Sequence, residues 1–168
     1  MCGRYQVIDA EGKRQDVFPS QEIIALTAQG EVTMRWGFSQ PNEGKKLLIN
    51  ARSESAADKP TFSPLLAAQR CLIPAASYYE WDREKKPHIF CMENMPVLYM
   101  AGLFRTETDG QKHFVILTRK ADNVVSAVHS RMPCMLESEE YRHLWLHSDS
   151  LAPALLNMDM SYKTIQLS

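Results

Sequence analysis

Apolar and polar side chains alternate along much of the chain in short runs broken by glycine, the two-residue period of half-buried strands. Strands are predicted over residues 3–8, 22–27, 32–38 and 47–49, with turns at Gly12 and Gly30. The second is ambiguous, because 22–27 reads equally as a short helix capped by Ser20. Ser63 followed by Pro64 supplies an N-cap and a first-turn proline for a helix to about residue 69. Further strands follow over 70–81, 88–92, 97–104 and 112–118, the last two joined by a turn at Thr108-Asp109-Gly110. Helical spacing comes late: Ser138 with Glu139 and Glu140 opens an amphipathic helix to residue 147, and 151–158 form another. No repeat or low-complexity linker interrupts the pattern. It implies a single α+β domain over 1–168, predominantly antiparallel β with a barrel-like sheet core and a few short helices.

Composition narrows the class. The 168 residues are 45% hydrophobic and 23% charged, enough apolar mass for a real core. There is no apolar run of about 18 residues and no signal-peptide pattern. A cytoplasmic protein with no membrane partner is expected. The four cysteines, at 2, 71, 91 and 134, form no C-x-x-C pair, so four free thiols are expected rather than a zinc site or a disulfide framework. A net charge of −1 disfavours a general nucleic-acid binder. The distribution qualifies this, because residues 137–168 hold five acidic side chains and only Arg142 and Lys163 as bases. Any DNA face must therefore be local. Arg4, Arg35, Arg52 and Arg131 are the bases that stand beside chemically interesting residues, while Lys85-Lys86 reads as a solvated turn.

The chemistry begins at the second residue. In Met1-Cys2-Gly3-Arg4, removal of Met1 leaves Cys2 as a 1,2-aminothiol. Its amine titrates near ~7.7–8.0 and its thiol near ~8.5, so both are usable nucleophiles at neutral pH. An aldehyde would meet the amine as an imine and then the thiol, closing a five-membered thiazolidine. Three other segments complete a set of parts for imine chemistry: Asn50 in Ile49-Asn50-Ala51-Arg52-Ser53-Glu54, Glu80 in Tyr79-Glu80-Trp81, and His129 in His129-Ser130-Arg131-Met132-Pro133. Flanking aromatics raise the pKa expected of Glu80, which suits it to donate a proton near neutrality. Each residue has a plainer reading: Cys2 as part of a frayed terminus, Asn50 as a turn residue, Glu80 as a salt-bridge partner of Arg83 or Arg52, His129 as a core histidine.

In this order and spacing the segments MCGRY, INARSE, YEW and HSRMP, with RWGF and VFPSQ in support, resemble the SOS-response-associated peptidase family of abasic-site processing proteins, in a short bacterial form. The resemblance covers nearly the whole chain. It implies covalent capture of the ring-opened sugar of an abasic site in single-stranded DNA by Cys2. It also implies that Asn50 holds the terminal amine and sugar, that Glu80 acts as acid and base, and that His129 bonds the sugar oxygens. Arg4, Arg52 and Arg131 match positions that contact phosphates. Trp36 and Phe38 are candidates for stacking on a flanking base, and equally for core aromatics on a strand. No cofactor or metal is implied, and a monomer is expected. Two departures stand out: the segment between the first strand and RWGF is short, and the C-terminal glycine- and asparagine-rich loop is absent, leaving residues 162–168.

Three other readings compete. A thiol peptidase would also use a cysteine and a histidine, on itself to remove Met1 or on other proteins. A metalloenzyme could be built on His143 and His147, one helix face apart at i, i+4, with Asp149 nearby. A DNA-binding module would need only the arginines and aromatics.

Overall fold

The structure is a computed structural model that describes residues 2–40, 44, 46–156, 158 and 164–167. Met1, Asn157 and residues 162–163, to which the sequence reading also speaks, lie outside the described residues. Elements are numbered along the chain. The strands are β1 Tyr5–Ile8, β2 Arg14–Val17, β3 Glu22–Thr27, β4 Gly30–Trp36, β5 Phe38–Ser39, β6 Leu47–Leu48, β7 Asn50–Arg52, β8 Arg70–Ala75, β9 Ser77–Trp81, β10 Pro87–Met92, β11 Leu98–Thr106, β12 Lys112–Lys120, β13 Arg131–Pro133 and β14 Thr164–Leu167. The helices are α1 Ser53–Ala56, α2 Ser63–Ala68, α3 Asn123–Ser126, α4 Glu139–His147 and α5 Ala152–Leu155.

Five strands close on themselves in the order β11-β8-β3-β4-β12, with β12 returning to β11. Closure removes the open edges that a flat sheet of this width would present. All pairings in the ring are antiparallel except β12 with β4, and β12 also carries β13 antiparallel and β7 parallel. Trp36, Met34, Phe114, Ile73 and Met100 fill the interior, while Leu72 is buried on the outer face of β8. Gly102 marks a close approach, since a Cβ there would collide with Ile73 and press on the Val115 carbonyl. A second sheet, ordered β14-β10-β9-β1-β2, lies against the barrel, and Tyr5 tilts onto Trp36 with ring centroids 5.1 Å apart. This is the α+β, mostly antiparallel, barrel-cored domain that the pattern implied.

The differences from expectation have physical causes. The ambiguous segment 22–27 is a strand, because pairing with β4 and β8 outweighs local helix propensity. The expected run 70–81 is broken at Ala76, where the chain leaves the barrel for the second sheet and the Ala76 N–H donates to the Gln6 carbonyl at 2.7 Å. Strands β2, β7, β13 and β14, and helices α1 and α3, were not expected. All six are four residues or fewer, too short to establish a period. Ser138 does cap α4, its Oγ accepting from the Tyr141 N–H at 3.0 Å, and Gly110 makes the predicted turn at φ 79°. All four cysteines are free thiols. Among the described residues no helix is long and apolar enough to cross a membrane.

Candidate functional site

Four segments far apart in sequence meet where the barrel touches the second sheet. Cys2 precedes β1 and is fully buried. Asn50, the first residue of β7, is held by parallel pairing with Ile116 of β12 and is 7% exposed. Its Nδ2 donates to the Cys2 carbonyl at 2.9 Å, tying Cys2 to the barrel wall, while its Oδ1 has no hydrogen-bond partner among the described residues. Glu80 of β9 is also fully buried. His129 follows α3 in a turn closed by its own N–H donating to the Val125 carbonyl at 2.8 Å, and its side chain is 27% exposed.

Glu80 Oε2 and His129 Nδ1 lie 3.6 Å apart. That is longer than a hydrogen bond, and the shifts of both groups come first from burial rather than from each other. Burial pushes Glu80 up to about 7 against the downward pull of the chain's positive amino terminus. Burial pushes His129 below the usual histidine range, so its imidazole is neutral at pH 7. His129 Nδ1 lies 3.0 Å from the Arg131 nitrogen, whose N–H can donate to it, and 3.2 Å from the Arg131 carbonyl, which can accept from it in the other tautomer, so the Arg131 backbone holds the ring in place either way. Burial, then the Glu80 charge, drive the Cys2 thiol well above its usual range, and Sγ donates to the Arg4 carbonyl at 3.7 Å. The same amino-terminal charge acts on Cys2, Glu80 and His129. The arrangement thus puts a carboxyl group poised near neutrality, a neutral imidazole and an amide around a thiol.

The arginines differ in availability. Arg131 forks onto Glu54, with Nη2 to Oε2 at 2.9 Å, and Nη2 also reaches the Thr118 carbonyl at 2.5 Å. The Arg4 guanidinium lies 3.7 Å from the Tyr79 ring centroid and 3.6 Å from Asp16 Oδ2. Arg52 is exposed, and its charge adds to that of Arg131 in holding the Glu54 carboxyl low.

The aromatic expectation needs correction. Trp36 and Phe38 are both fully buried and cannot stack on a base. Trp36 Nε1 donates to the Ile49 carbonyl at 3.0 Å and its ring stacks on Phe114, so Trp36 is a barrel-core aromatic, while Phe38 is buried at the start of β5. The exposed aromatic near the arginines is instead Phe18, 45% exposed beside Arg4. Sequence reasoning also missed Tyr5, Tyr78 and the Glu54 partner of Arg131. Glu54 stood in the INARSE segment, but nothing in the sequence paired it with position 131. His143 and His147 do face each other, with ring centroids 4.5 Å apart. Among the described residues no group of three or more metal-binding side chains exists.

Barrel and site together define a small β-barrel protein that gathers a buried cysteine, a carboxyl, an imidazole and an amide at one seam. The profile of the SOS response associated peptidases (SRAP) matches residues 1–167, and the chain belongs to that family. It is similar to the abasic site processing protein YoaM of Bacillus subtilis, 29% identical over 190 residues, covering 93% of this chain and 83% of that one. It is similar also to the abasic site processing protein YobE of the same organism, 32% identical over 157 residues, covering 84% and 71%. A solved structure from Bordetella bronchiseptica superposes with a TM-score of 0.79 at 25% identity, covering 98% of each chain.

Proposed function

We propose that this protein processes abasic sites in DNA by crosslinking itself to the lesion through Cys2 once Met1 has been removed. The observation that carries the reading is the convergence on Cys2: Asn50 holds its carbonyl at 2.9 Å, and a fully buried Glu80 with a pKa of about 7 stands 3.6 Å from His129. The names of the relatives YoaM and YobE support the same substrate.

The steps follow from the groups. The free amine of Cys2 adds to the aldehyde carbon of the ring-opened sugar to give a carbinolamine. Glu80, about half protonated near neutrality, gives its proton to the departing hydroxyl, water leaves and an iminium forms. The Cys2 sulfur then adds to the iminium carbon, the C=N pair returns to nitrogen, and a thiazolidine closes. Asn50 fixes the backbone of the nucleophile, and His129, its Nδ1 held by the Arg131 backbone, turns Nε2 toward a sugar oxygen. Arg52 is the phosphate contact in the best position to act. Arg4 and Arg131 serve by exchanging Asp16 and Glu54 for phosphate.

Two observations favour this reading over a thiol peptidase acting on other proteins. A peptidase pair needs a thiolate beside an imidazolium, whereas burial drives the Cys2 thiol up and the His129 imidazole down. The Cys2 thiol also donates to the Arg4 carbonyl, not to the histidine. The test is to mix mature protein with single-stranded DNA bearing one abasic site and run a denaturing gel. A stoichiometric shifted band is expected, and catalytic turnover of a peptide without any DNA adduct would decide for the peptidase.

A further inference from the structure

The outer edge of the second sheet takes no part in the chemistry above. β2 ends that sheet, so one side of it has no neighbouring strand. Which of its backbone groups face that side follows from the ladder. The Asp9 N–H donates to the Lys13 carbonyl at 2.9 Å, while the carbonyls of Arg4 and Gln6 accept from Tyr79 and Ala76 on the opposite side of β1. Antiparallel alternation then turns the backbone of Gln15 and Val17 toward β1 and that of Arg14 and Asp16 away from it. Two N–H donors and two C=O acceptors thus point outward along one edge.

Beside that edge lies a groove of about 890 Å³, shared between β2 and β3. Its apolar lining is Val17, Ile23, Ile24, Leu26, Pro74 and Val97. Ile24 is 57% exposed, more than any other large apolar side chain among the described residues, and such a surface marks a contact face. The rim is acidic: Asp16, Glu22 and Glu31 stand against Arg35 alone, and Glu22 already holds Arg35 at 2.9 Å. Glu31 is exposed and has no ion-pair partner among the described residues. Small-molecule pockets converge a few placed polar groups on their ligand, whereas the polar groups here are exposed carboxylates and a strand edge. A chain segment fits them better. Because β2 is only four residues long and carries two charged side chains, it discourages indiscriminate edge pairing. A partner must bring apolar side chains to the groove as well as a backbone to the edge.

We propose that β2 and this groove receive an extended segment of another protein, alternating apolar and basic residues, which adds a strand to the second sheet. Its main chain pairs with Arg14 and Asp16, its apolar side chains lie on Ile24 and Leu26, and its bases answer the acidic rim at Glu31.

The probe is a short dye-labelled peptide of alternating valine and lysine, titrated against the full chain by fluorescence anisotropy beside a valine–glutamate counterpart. The lysine peptide should bind with a Kd of about 10–100 μM, and the glutamate peptide at least about tenfold more weakly. Hydrogen exchange at the Arg14 and Asp16 amides should slow when the lysine peptide binds. Ile24→Asp should weaken binding by about tenfold or more, and Glu31→Lys by about three- to tenfold. Both sites are exposed, so the melting midpoint of each variant should stay within about 2 °C of the parent. Arg14→Pro removes an outward N–H and spares the ladder to β1, so it should weaken binding by about three- to tenfold, while Arg14→Ala stays within about twofold. Equal binding of the two peptides overturns the proposal, as does parental affinity in Ile24→Asp. Binding that leaves the Arg14 and Asp16 amides unprotected overturns the added strand. If the free protein sediments as a dimer that Ile24→Asp dissociates, a second copy fills the groove and the proposal falls as well.

Discussion

Inside the barrel, Trp36, Phe114, Met34 and Ile73 are sealed from water, and the indole N–H finds the Ile49 carbonyl. In the seam between β1, β7 and β9, Tyr5, Tyr78, Glu80 and Asn50 are nearly or fully as buried, yet among the described residues both phenol oxygens and Asn50 Oδ1 lack hydrogen-bond partners. Each such orphan costs about 1–3 kcal/mol, a burden that Trp36, Phe114, Met34 and Ile73 in the barrel interior do not carry. The barrel is therefore built for stability and the seam against it. Substitutions that conserve shape should separate the two: in the barrel they can only weaken the fold, and in the seam they should strengthen it while removing function.

The largest effect falls on Cys2. With Cys2→Ala, no ring can close, so the adduct that survives heat without reductant should vanish while an iminium trapped by borohydride persists. Denaturing gels run with and without borohydride decide this, and an undiminished adduct without reductant removes the thiol from the mechanism.

Glu80 should show the trade in a single side chain. Glu80→Gln should slow adduct formation by about 10²–10⁴-fold. Its stability should move the other way. Burial raises the carboxyl from 4.5 to about 7 in the folded state. Between those values the native protein holds more protons than the unfolded chain, so wild-type stability falls as pH rises through that window. The penalty is fully present above about pH 7 and is on the order of 3 kcal/mol. Glu80→Gln lacks this slope, so it should melt above wild type at pH 8, with the gap closing toward pH 4. Calorimetry at both pH values checks the sign.

The barrel counterpart is Trp36→Ala, which should cost about 3–5 kcal/mol without a compensating gain at any pH. Urea unfolding measures it. A cost below about 1 kcal/mol would mean the site collapses easily and the barrel is less tightly specified than its packing indicates.

The contrast between regions also explains what was legible in the sequence. Long barrel strands such as β11 and β12 carry nearly continuous buried runs within nine residues each, a signal strong enough to be read to within a few positions. β7 and β13 are three residues each and exist because β12 offers them an edge, a tertiary cause with no local signature. At the site, Cys2, Asn50, Glu80 and His129 were legible as residues because their segments resemble a family. Their mutual geometry was not legible. Trp36 and Phe38 were read toward DNA because an aromatic on a strand has the same pattern whether it faces base or core, and only closure of the barrel decides which. Tyr78 was invisible for the opposite reason: in a strand a tyrosine is unremarked until its hydroxyl is found buried and alone.

The smallest effect tests the border between the seam and the solvent. Glu54 forks onto Arg131 with its own side chain 50% exposed, so solvent screens the pair and Glu54→Gln should cost less than about 1 kcal/mol of stability. What little it costs has a defined pH window. Arg131 first, and Arg52 with it, lower the Glu54 carboxyl, so its contribution is present above the unfolded pKa and is lost as pH falls through the folded one. The larger consequence is for DNA. With the carboxylate gone, Arg131 keeps its tie to the Thr118 carbonyl but has a guanidinium edge free for phosphate. Glu54→Gln should therefore bind single-stranded DNA more tightly and steepen the dependence of log K on log salt by about 0.7, the value of one added phosphate contact. Arg131→Ala should flatten the slope or leave it unchanged, and the double variant should match Arg131→Ala alone. Fluorescence anisotropy across a salt series reads all three. If Glu54→Gln leaves both affinity and slope where they were, Arg131 does not exchange its carboxylate for phosphate, and the DNA path runs through Arg52 without it.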